Sequence, residues 1–110
     1  MLSPRRRILC IDDNEYTCFV LTALLGRDYE TKSVGTIGEA MELARREHFD
    51  LYILDNLFPD GTGLELCRQI RELRPQTPII FYSGAAFESD KEEGLCAGAQ
   101  AYIAKPAIEG

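Results

Sequence analysis

Four short apolar runs in this chain each end on an acid, a hydroxyl or an amine. The runs and the residues that follow them are Ile8–Ile11 with Asp12 and Asp13, Leu51–Leu54 with Asp55, Ile79–Tyr82 with Ser83, and Ala101–Ala104 with Lys105. Short runs that are apolar throughout are typical of parallel strands buried on both faces. Because parallel strands point the same way, we expect these polar residues to meet at one edge of a sheet, where open α/β folds bind their ligands.

Helical patterns separate the apolar runs, and each carries its own start or stop signal. The first predicted helix begins at Asn14 or Glu15, runs to Leu25 and ends before Gly26. Capping boxes at Thr36–Glu39 and at Ser89–Glu92 mark the start of the second and the fourth helix. The third helix is indicated by the i, i+4, i+7 spacing of Leu66, Ile70 and Leu73 before Pro75. These signals predict helices that alternate with the strands.

A further strand is predicted at Thr31–Val34, which completes the order βαβαβαβαβ. The segment Asn56–Thr62 holds Pro59 and Gly61 and is predicted to be a turn. Since crossovers between parallel strands are right-handed, few topologies remain. We predict one α/β domain over residues 1–110, a doubly wound five-stranded parallel sheet with strand order 2-1-3-4-5.

Composition and charge exclude several classes of protein. The 110 residues carry a net charge of −6, which argues against direct binding of nucleic acid, because the phosphate backbone is bound by clustered Lys and Arg side chains. None of the four cysteines is spaced as C-x-x-C, so we predict no zinc or thioredoxin-like site, and we expect structural thiols in a reducing compartment. The longest uncharged stretches, Tyr16–Gly26 and Thr77–Phe87, hold 11 residues each and are too short to span a bilayer. We expect a cytoplasmic protein without membrane contact.

The predicted pocket suits phosphoryl transfer. Three carboxylates in one place repel one another, and a hard divalent cation would relieve that repulsion. Mg²⁺ fits, because it takes oxygen ligands and commonly binds one or two carboxylates together with phosphate oxygens. One carboxylate could then act as a nucleophile toward phosphorus, while the amine of Lys105 and the hydroxyl of Ser83 stabilise the phosphoryl oxygens.

The ordered set of motifs resembles the response regulator receiver domain, the CheY-like module of two-component signalling, from Ile8 to Pro106. The motifs are Asp12-Asp13 after the first strand, Asp55 after the third, Pro59 and Gly63 in the next loop, Ser83 after the fourth strand and Lys105-Pro106 after the fifth. CheY itself has the flavodoxin-like order 2-1-3-4-5, so the predicted topology and the resemblance are not independent.

The resemblance implies a role for each residue of the acidic pocket. Asp55 is the expected phosphoryl acceptor and a ligand of Mg²⁺. Asp13 is expected to bind the ion directly, Asp12 through water, and Leu57 through its backbone carbonyl. Lys105 is expected to contact both Asp55 and the bound phosphoryl group.

The resemblance also implies a conformational switch. Ser83 is expected to move toward a phosphoryl oxygen, and Tyr102 to turn inward into the space that Ser83 leaves. Pro106 is expected to be structural, with a cis peptide bond that aims Lys105 inward. The helix Asp90–Ala97, with Leu95 and Cys96 as its main apolar contacts, is the expected mobile element.

The implied function is regulatory and not that of an ordinary enzyme: a partner histidine kinase, a phosphotransfer protein or a small phosphodonor supplies the phosphoryl group. His48, the only histidine, lies near a helix end and is expected to be a surface residue, so the donor belongs to another protein. Leu57 and Ala85 are apolar where relatives carry polar side chains that help position water. We therefore expect slow self-dephosphorylation.

Receivers usually carry a fifth helix after the fifth strand, whereas only Ala107–Gly110 follow Pro106 here. A missing or truncated final helix is expected to expose apolar surface on the sheet face that it shares with the first helix. Two explanations stay open. The sequence is cut from a longer protein with an effector domain, or the short form dimerises to cover the gap.

Three other classes of protein remain as alternatives. A haloacid-dehalogenase-type phosphatase uses a strand-end Asp nucleophile, but its second Asp would fall at Leu57. A flavodoxin-type FMN carrier shares the topology, but Asp12-Asp13 places charge where a phosphate-binding loop would lie. A receiver-like scaffold that binds partners without phosphorylation is opposed only by the intact acidic set.

Overall fold

The computed structural model describes residues 5–106, which form one parallel five-stranded sheet and four helices. The strands are β1 Arg7–Ile11, β2 Glu30–Val34, β3 Leu51–Leu54, β4 Ile79–Ser83 and β5 Ala101–Ala104. The helices are α1 Glu15–Leu25, α2 Ile37–Arg46, α3 Gly63–Leu73 and α4 Glu88–Cys96. The sheet order β2-β1-β3-β4-β5 confirms the predicted doubly wound topology. Residues 107–110, where a fifth helix was in question, lie outside the described residues.

Alternation along the strands separates two faces of the sheet. Leu9 and Ile11 of β1, Tyr52 and Leu54 of β3 and Phe81 of β4 are fully buried in the main core. That core is completed by the apolar faces of α2 and α3 and by Ala97 at the end of α4. Burial of this apolar surface is the main force that holds the strand ends in register.

The opposite face of the sheet is covered less completely. Helix α1 has no fully buried residue, and its Tyr16, Phe19 and Leu24 side chains are largely exposed. Ile103 of β5 is half exposed on the same face. Within residues 5–106, this face therefore exposes apolar side chains, in agreement with the apolar exposure that the sequence predicted there.

The segment between β3 and α3 is more ordered than the predicted turn. Leu57–Phe58 and Gly61–Thr62 pair as two short antiparallel strands, so Pro59 and Asp60 form the tip of a hairpin. Phe58 is buried and fixes this hairpin to the core. The Thr62 side chain then caps α3 by accepting the N–H of Glu65 at 3.2 Å.

The two predicted capping boxes, at the starts of α2 and α4, have different outcomes in the structure. Thr36 accepts the N–H of Glu39 as predicted, but the Glu39 carboxylate reaches the N–H of Gly35 and the Thr36 hydroxyl. The predicted capping box in Ser89–Glu92 is wrong. Helix α4 begins at Glu88, and the Asp90 carboxylate accepts the N–H of Phe87 at 3.0 Å. The carboxylate of Asp90, placed one turn into the helix, satisfies that donor, so Ser89 lies inside the helix.

The cysteines match the expectation of structural thiols in part. Cys10 and Cys67 are buried, and burial raises the pKa of Cys10 to about 12 and that of Cys67 to about 11. Both therefore remain protonated and poorly reactive at neutral pH. Cys18 is half-buried and Cys96 is exposed. Among residues 5–106, no helix is both long enough and apolar enough to cross a bilayer.

Arg71 ties the end of α3 to the segment before β5. Its guanidinium donates to the carbonyl oxygens of Gly98, Arg74 and Thr77 and to the side-chain oxygen of Gln100, at 2.7 to 3.2 Å. Gly98 has φ +118 and lies against the Arg71 side chain. One planar cation thus satisfies several loop carbonyls that no strand or helix would pair.

An ion-pair network lies at the end of the sheet opposite to the edge where Asp12 and Asp55 follow their strands. Arg7 donates to Glu30 at 2.7 Å and to Glu47 at 2.6 Å, and its guanidinium lies over the ring of Phe49. Lys32 pairs with the same Glu47 carboxylate at 2.9 Å. The hydrogen bonds from Arg7 and Lys32 lower the pKa of Glu47 from 4.5 to about 2.

This network predicts a pH dependence of folding. Because the pKa of Glu47 is lower in the folded state than in the unfolded chain, its stabilising effect is complete above about pH 4.5 and is lost as the pH falls toward 2. Urea unfolding between these pH values should show a steeper loss of stability in the wild type than in Glu47→Gln. Glu42→Gln, which removes an exposed pair with Arg46 on the same helix, is the matched control. Equal slopes in the wild type and Glu47→Gln would contradict the assignment.

Candidate functional site

Backbone hydrogen bonds between strands bring the predicted residues to one edge of the sheet. The N–H of Asp12 donates to the carbonyl of Val34, and the N–H of Asp55 donates to the carbonyl of Ile11, both at 3.0 Å. At the far side of the sheet, the N–H of Lys105 donates to the carbonyl of Ser83 at 2.9 Å. The ladder thus extends one residue past each strand, and these side chains emerge together.

Three carboxylates, those of Asp12, Asp13 and Asp55, converge at this edge and form what we call the acidic group. One oxygen each from Asp12, Asp13 and Asp55 lies within 4.8 Å of the others. Asp12 is buried, Asp55 is half-buried and Asp13 is exposed, so the group opens to solvent on one side. The donors are all hard oxygens, and the open side leaves room for water ligands. This donor set fits Mg²⁺, which prefers oxygen ligands and retains several waters.

Lys105 bridges two of the carboxylates. Its Nζ lies 2.8 Å from Asp12 Oδ2 and 3.3 Å from Asp55 Oδ2. The predicted contact with Asp55 is therefore present, and the contact with Asp12 is an addition. The other oxygens of the two carboxylates accept backbone N–H groups, from Asn14 at 2.9 Å for Asp12 and from Asn56 at 2.7 Å for Asp55.

Burial and neighbouring charges have opposite effects on the pKa values of Asp12 and Lys105. Burial raises the pKa of Asp12, and the hydrogen bonds from Lys105 and Asn14 offset only part of that rise. Burial lowers the pKa of Lys105, but the hydrogen bond to Asp12 and the charge of Asp55 outweigh it, so the pKa of Lys105 is raised overall. Lys105 therefore stays cationic at neutral pH and offsets the negative charge of the site.

Gly63 lets α3 begin directly beneath the acidic group. A Cβ built on Gly63 would overlap the carbonyl oxygen of Asp55 and lie 2.8 Å from the Cα of Asn56 and from the ring of Phe81. The N–H of Gly63 donates to the carbonyl of Asn56 at 2.8 Å. The close approach of backbone to backbone explains why this loop position carries glycine.

Ser83 and Tyr102 lie at the same edge, next to the acidic group. Ser83 is buried, and its Oγ accepts the N–H of Ala85 at 3.1 Å. The hydroxyl of Tyr102 donates to the carbonyl of Ala85 and accepts the side-chain amide of Asn56 at 3.2 Å. Because the backbone N–H of Asn56 also donates to Asp55, this one residue connects the Tyr102 hydroxyl to the three carboxylates.

The ring of Tyr102 is held between β4 and α4. It stacks on Phe81 with 5.1 Å between ring centroids and 15° between planes. Gly94 of α4 lies against both rings, because a Cβ there would come within 2.8 Å of the Tyr102 ring and 3.1 Å of the Phe81 ring. Gly94 is the buried residue of α4, whereas Leu95 and Cys96 are exposed. The prediction that Leu95 and Cys96 hold this helix is wrong, because the helix packs through a residue without a side chain.

Two other predictions have different outcomes. His48 is exposed, as predicted, and lies 3.2 Å from Asp50 at the opposite end of the sheet. The predicted cis peptide at Pro106 is wrong, since residues 5–106 contain no cis peptide bond. A trans bond is the lower-energy form for most X–Pro pairs, and Lys105 already reaches both carboxylates from this backbone.

The structure adds two residues that the sequence analysis missed. Asn56 links Asp55 to Tyr102, and Asp60 at the hairpin tip accepts the backbone N–H groups of Ile37 and Gly38. The Pro-Asp-Gly sequence at 59–61 signals a turn, but no local pattern indicates which distant backbone Asp60 contacts.

Comparison with known proteins agrees with this geometry. A family model of the response regulator receiver domain matches residues 8–109. The chain is 36% identical over 103 residues to the response regulator protein PilR of Pseudomonas aeruginosa, covering 93% of this chain and 23% of PilR. It is 37% identical over 100 residues to the response regulator ArlR of Staphylococcus epidermidis, covering 90% of this chain and 45% of ArlR. The chain thus spans less than half the length of both relatives.

Solved structures give the same family. The CheY-like receiver domain protein of Methanospirillum hungatei superposes with a TM-score of 0.89 at 33% identity, over 96% of this chain and 85% of that one. A response regulator protein from Burkholderia pseudomallei with a phosphorylated aspartic acid and a calcium ion superposes with a TM-score of 0.85 at 31% identity, over 94% of this chain and 61% of that one.

Proposed function

This chain belongs to the response regulator receiver domain family of two-component systems, and we propose that it accepts a phosphoryl group on Asp55 from a partner histidine kinase or phosphotransfer protein. The observation that carries the proposal is the position of Lys105, whose ammonium lies between Asp12 and Asp55 beside a third carboxylate. An anionic nucleophile, a fixed cation and a cluster of oxygen ligands are the parts that phosphoryl transfer requires.

The proposed reaction exchanges one bond to phosphorus for another. An Asp55 carboxylate oxygen attacks phosphorus and forms a P–O bond, the P–N bond of the donor phosphohistidine breaks, and the imidazole leaves with the electron pair. Lys105 stays protonated and lies close enough to Asp55 to contact the incoming phosphoryl oxygens. Asn56 fixes the orientation of Asp55 through its backbone N–H. Positioning of these groups before the reaction supplies most of the rate.

Mg²⁺ would be held by Asp12, Asp13, Asp55 and the backbone carbonyl of Leu57. When bound, it would neutralise charge on the transferring phosphoryl group and relieve the repulsion between the carboxylates. Leu57 itself is exposed and apolar at the rim of the site. It provides no group to orient an attacking water, which supports slow loss of the phosphoryl group.

We propose that the phosphoryl group acts on Ser83 and Tyr102. The Ser83 hydroxyl accepts one hydrogen bond and still has its own proton to donate to a phosphoryl oxygen. A shift of Ser83 would disturb Ala85, whose N–H binds Ser83 and whose carbonyl binds Tyr102. The new charge would thus bias a pre-existing pair of conformations, and the change would reach α4 through Gly94. An effector segment or a partner protein would read it.

Incubation with acetyl phosphate tests the proposal. With Mg²⁺ present, intact mass spectrometry should show a gain of a single phosphoryl group, and peptide mapping should place it on Asp55. Excess EDTA, added before the phosphodonor, should prevent formation of the adduct, because the carboxylates of the site would then repel acetyl phosphate. An adduct of equal yield in Mg²⁺ and in EDTA, or no adduct under any condition, would contradict the proposal.

A further inference from the structure

The tip of the hairpin between β3 and α3 is bonded to the start of α2. Asp60 Oδ1 accepts the N–H of Ile37 at 2.9 Å, and Asp60 Oδ2 accepts the N–H of Gly38 at 3.0 Å. These donors belong to the first turn of a helix, where no partner within the helix exists. Thr36 already caps the same helix through Glu39. Helix α2 therefore has a local cap and a second one, 22 to 23 residues away in sequence.

A close steric contact accompanies these hydrogen bonds. Gly61 has φ +153, and a Cβ there would lie 2.7 Å from the Cδ1 of Ile37 and 2.8 Å from the carboxylate of Glu65. Ile37 is buried in the main core. The hairpin tip is thus pressed onto a fixed residue, and its distance from α2 is set by packing as well as by charge.

The residues just before α2 also lie next to Asp12 and Asp13 of the acidic group. A Cβ built on Gly35, two residues before α2, would lie 3.6 Å from the Cα of Asp13 and 3.8 Å from the carbonyl oxygen of Asp12. The hairpin that holds Asp60 at its tip also carries Leu57, whose backbone carbonyl is one of the proposed ligands of Mg²⁺. Residues 35–38 therefore lie directly against the backbone of Asp12 and Asp13, and they are bonded to the Leu57 hairpin through Asp60.

We propose that Asp60 is a positioning residue for the metal site: its bonds to α2 fix the Leu57 hairpin relative to Asp12 and Asp13. This inference rests on the proposed function, since it assigns Leu57 and the carboxylates to one ion. Residues that orient metal ligands without touching the metal commonly change affinity by 10- to 100-fold when they are removed. Asp60 acts in the same way, through the hairpin backbone.

Titration of the purified protein with Mg²⁺ in an isothermal calorimeter tests this role. Asp60→Ala should weaken Mg²⁺ binding by about tenfold or more. Asp60→Asn, which keeps one acceptor oxygen, should give an intermediate loss. Thr36→Ala is the matched control, because it removes the other cap of the same helix and lowers Tm without releasing the hairpin. Its Mg²⁺ affinity should equal that of the wild type.

Amide hydrogen exchange provides a second readout that needs no metal. The N–H groups of Ile37 and Gly38 should exchange faster in Asp60→Ala, and the amides of the Leu57 hairpin should do so as well. If Asp60→Ala binds Mg²⁺ as tightly as the wild type, or Thr36→Ala loses as much affinity, Asp60 only caps the helix and the positioning role is wrong. If the wild type itself binds no Mg²⁺, the proposed function fails together with the inference. Should Asp60→Ala not fold, Asp60→Asn decides the outcome by the same comparison.

Discussion

Asp55→Asn should reduce the phosphoryl adduct to background in the acetyl phosphate assay. A carboxamide has no anionic oxygen to attack phosphorus, so no acyl phosphate can form. The asparagine keeps the size of the side chain and can still accept the N–H of Asn56. Loss of one negative charge beside Asp12 and Asp13 relieves repulsion, so we expect the fold to remain intact.

The control for this variant is Asp28→Asn. Asp28 is exposed and lies two residues before β2, so it is at the opposite end of the sheet from the acidic group. Its adduct should match the wild type in yield. A phosphoryl adduct in Asp55→Asn equal to that of the wild type would show that another residue is the acceptor, and peptide mapping would identify it.

Gly63→Ala should lower the free energy of unfolding by about 3 kcal/mol, the upper range for overpacking of a well-packed interior. The added methyl group would meet backbone atoms of Asp55 and Asn56 and the ring of Phe81, and none of these is the free end of a flexible side chain. Either α3 or the backbone of Asp55 must move. Uptake of the phosphoryl group should therefore slow even in the fraction of molecules that remains folded.

Gly84→Ala is a matched control for this substitution. It adds the same methyl group one residue after β4, where nothing lies within 4 Å of the new Cβ. Its unfolding midpoint in urea should equal or slightly exceed that of the wild type, because alanine restricts the unfolded chain. Equal midpoints for Gly63→Ala and Gly84→Ala would show that α3 can shift away from Asp55 at little cost.

The central strands could be predicted from sequence because burial on both faces leaves a simple signal, and Ile79–Tyr82 was predicted within one residue of β4. Thr31–Val34 was also predicted within one residue of β2, although this edge strand has no buried residue. Once the strands are parallel, the convergence of Asp12, Asp55 and Lys105 follows from geometry alone. The acidic group was thus predictable, although its members are far apart in sequence.

The contacts that surround the acidic group were not predictable in the same way. Asp60 looks like an ordinary turn residue, and only the folded chain shows that its carboxylate meets the N–H groups of α2. Gly94 looks like a weak point in a helix, yet it is the residue on which Tyr102 packs. In each case the partner lies on another element, at a distance that no local pattern encodes.

The hydrogen bonds of Arg71 have a mechanical consequence for α4. They hold the carbonyl of Gly98, just past the C-terminal end of that helix, while Phe87 at its other end is almost fully exposed. The helix is thus held beyond its C-terminal end by several hydrogen bonds, whereas its N-cap residue Phe87 has little contact with the rest of the domain. If α4 rearranges on phosphorylation, as proposed, we expect its displacement to be smallest near Gly98 and to grow toward Phe87, and a partner that responds to this change would contact the Phe87 end.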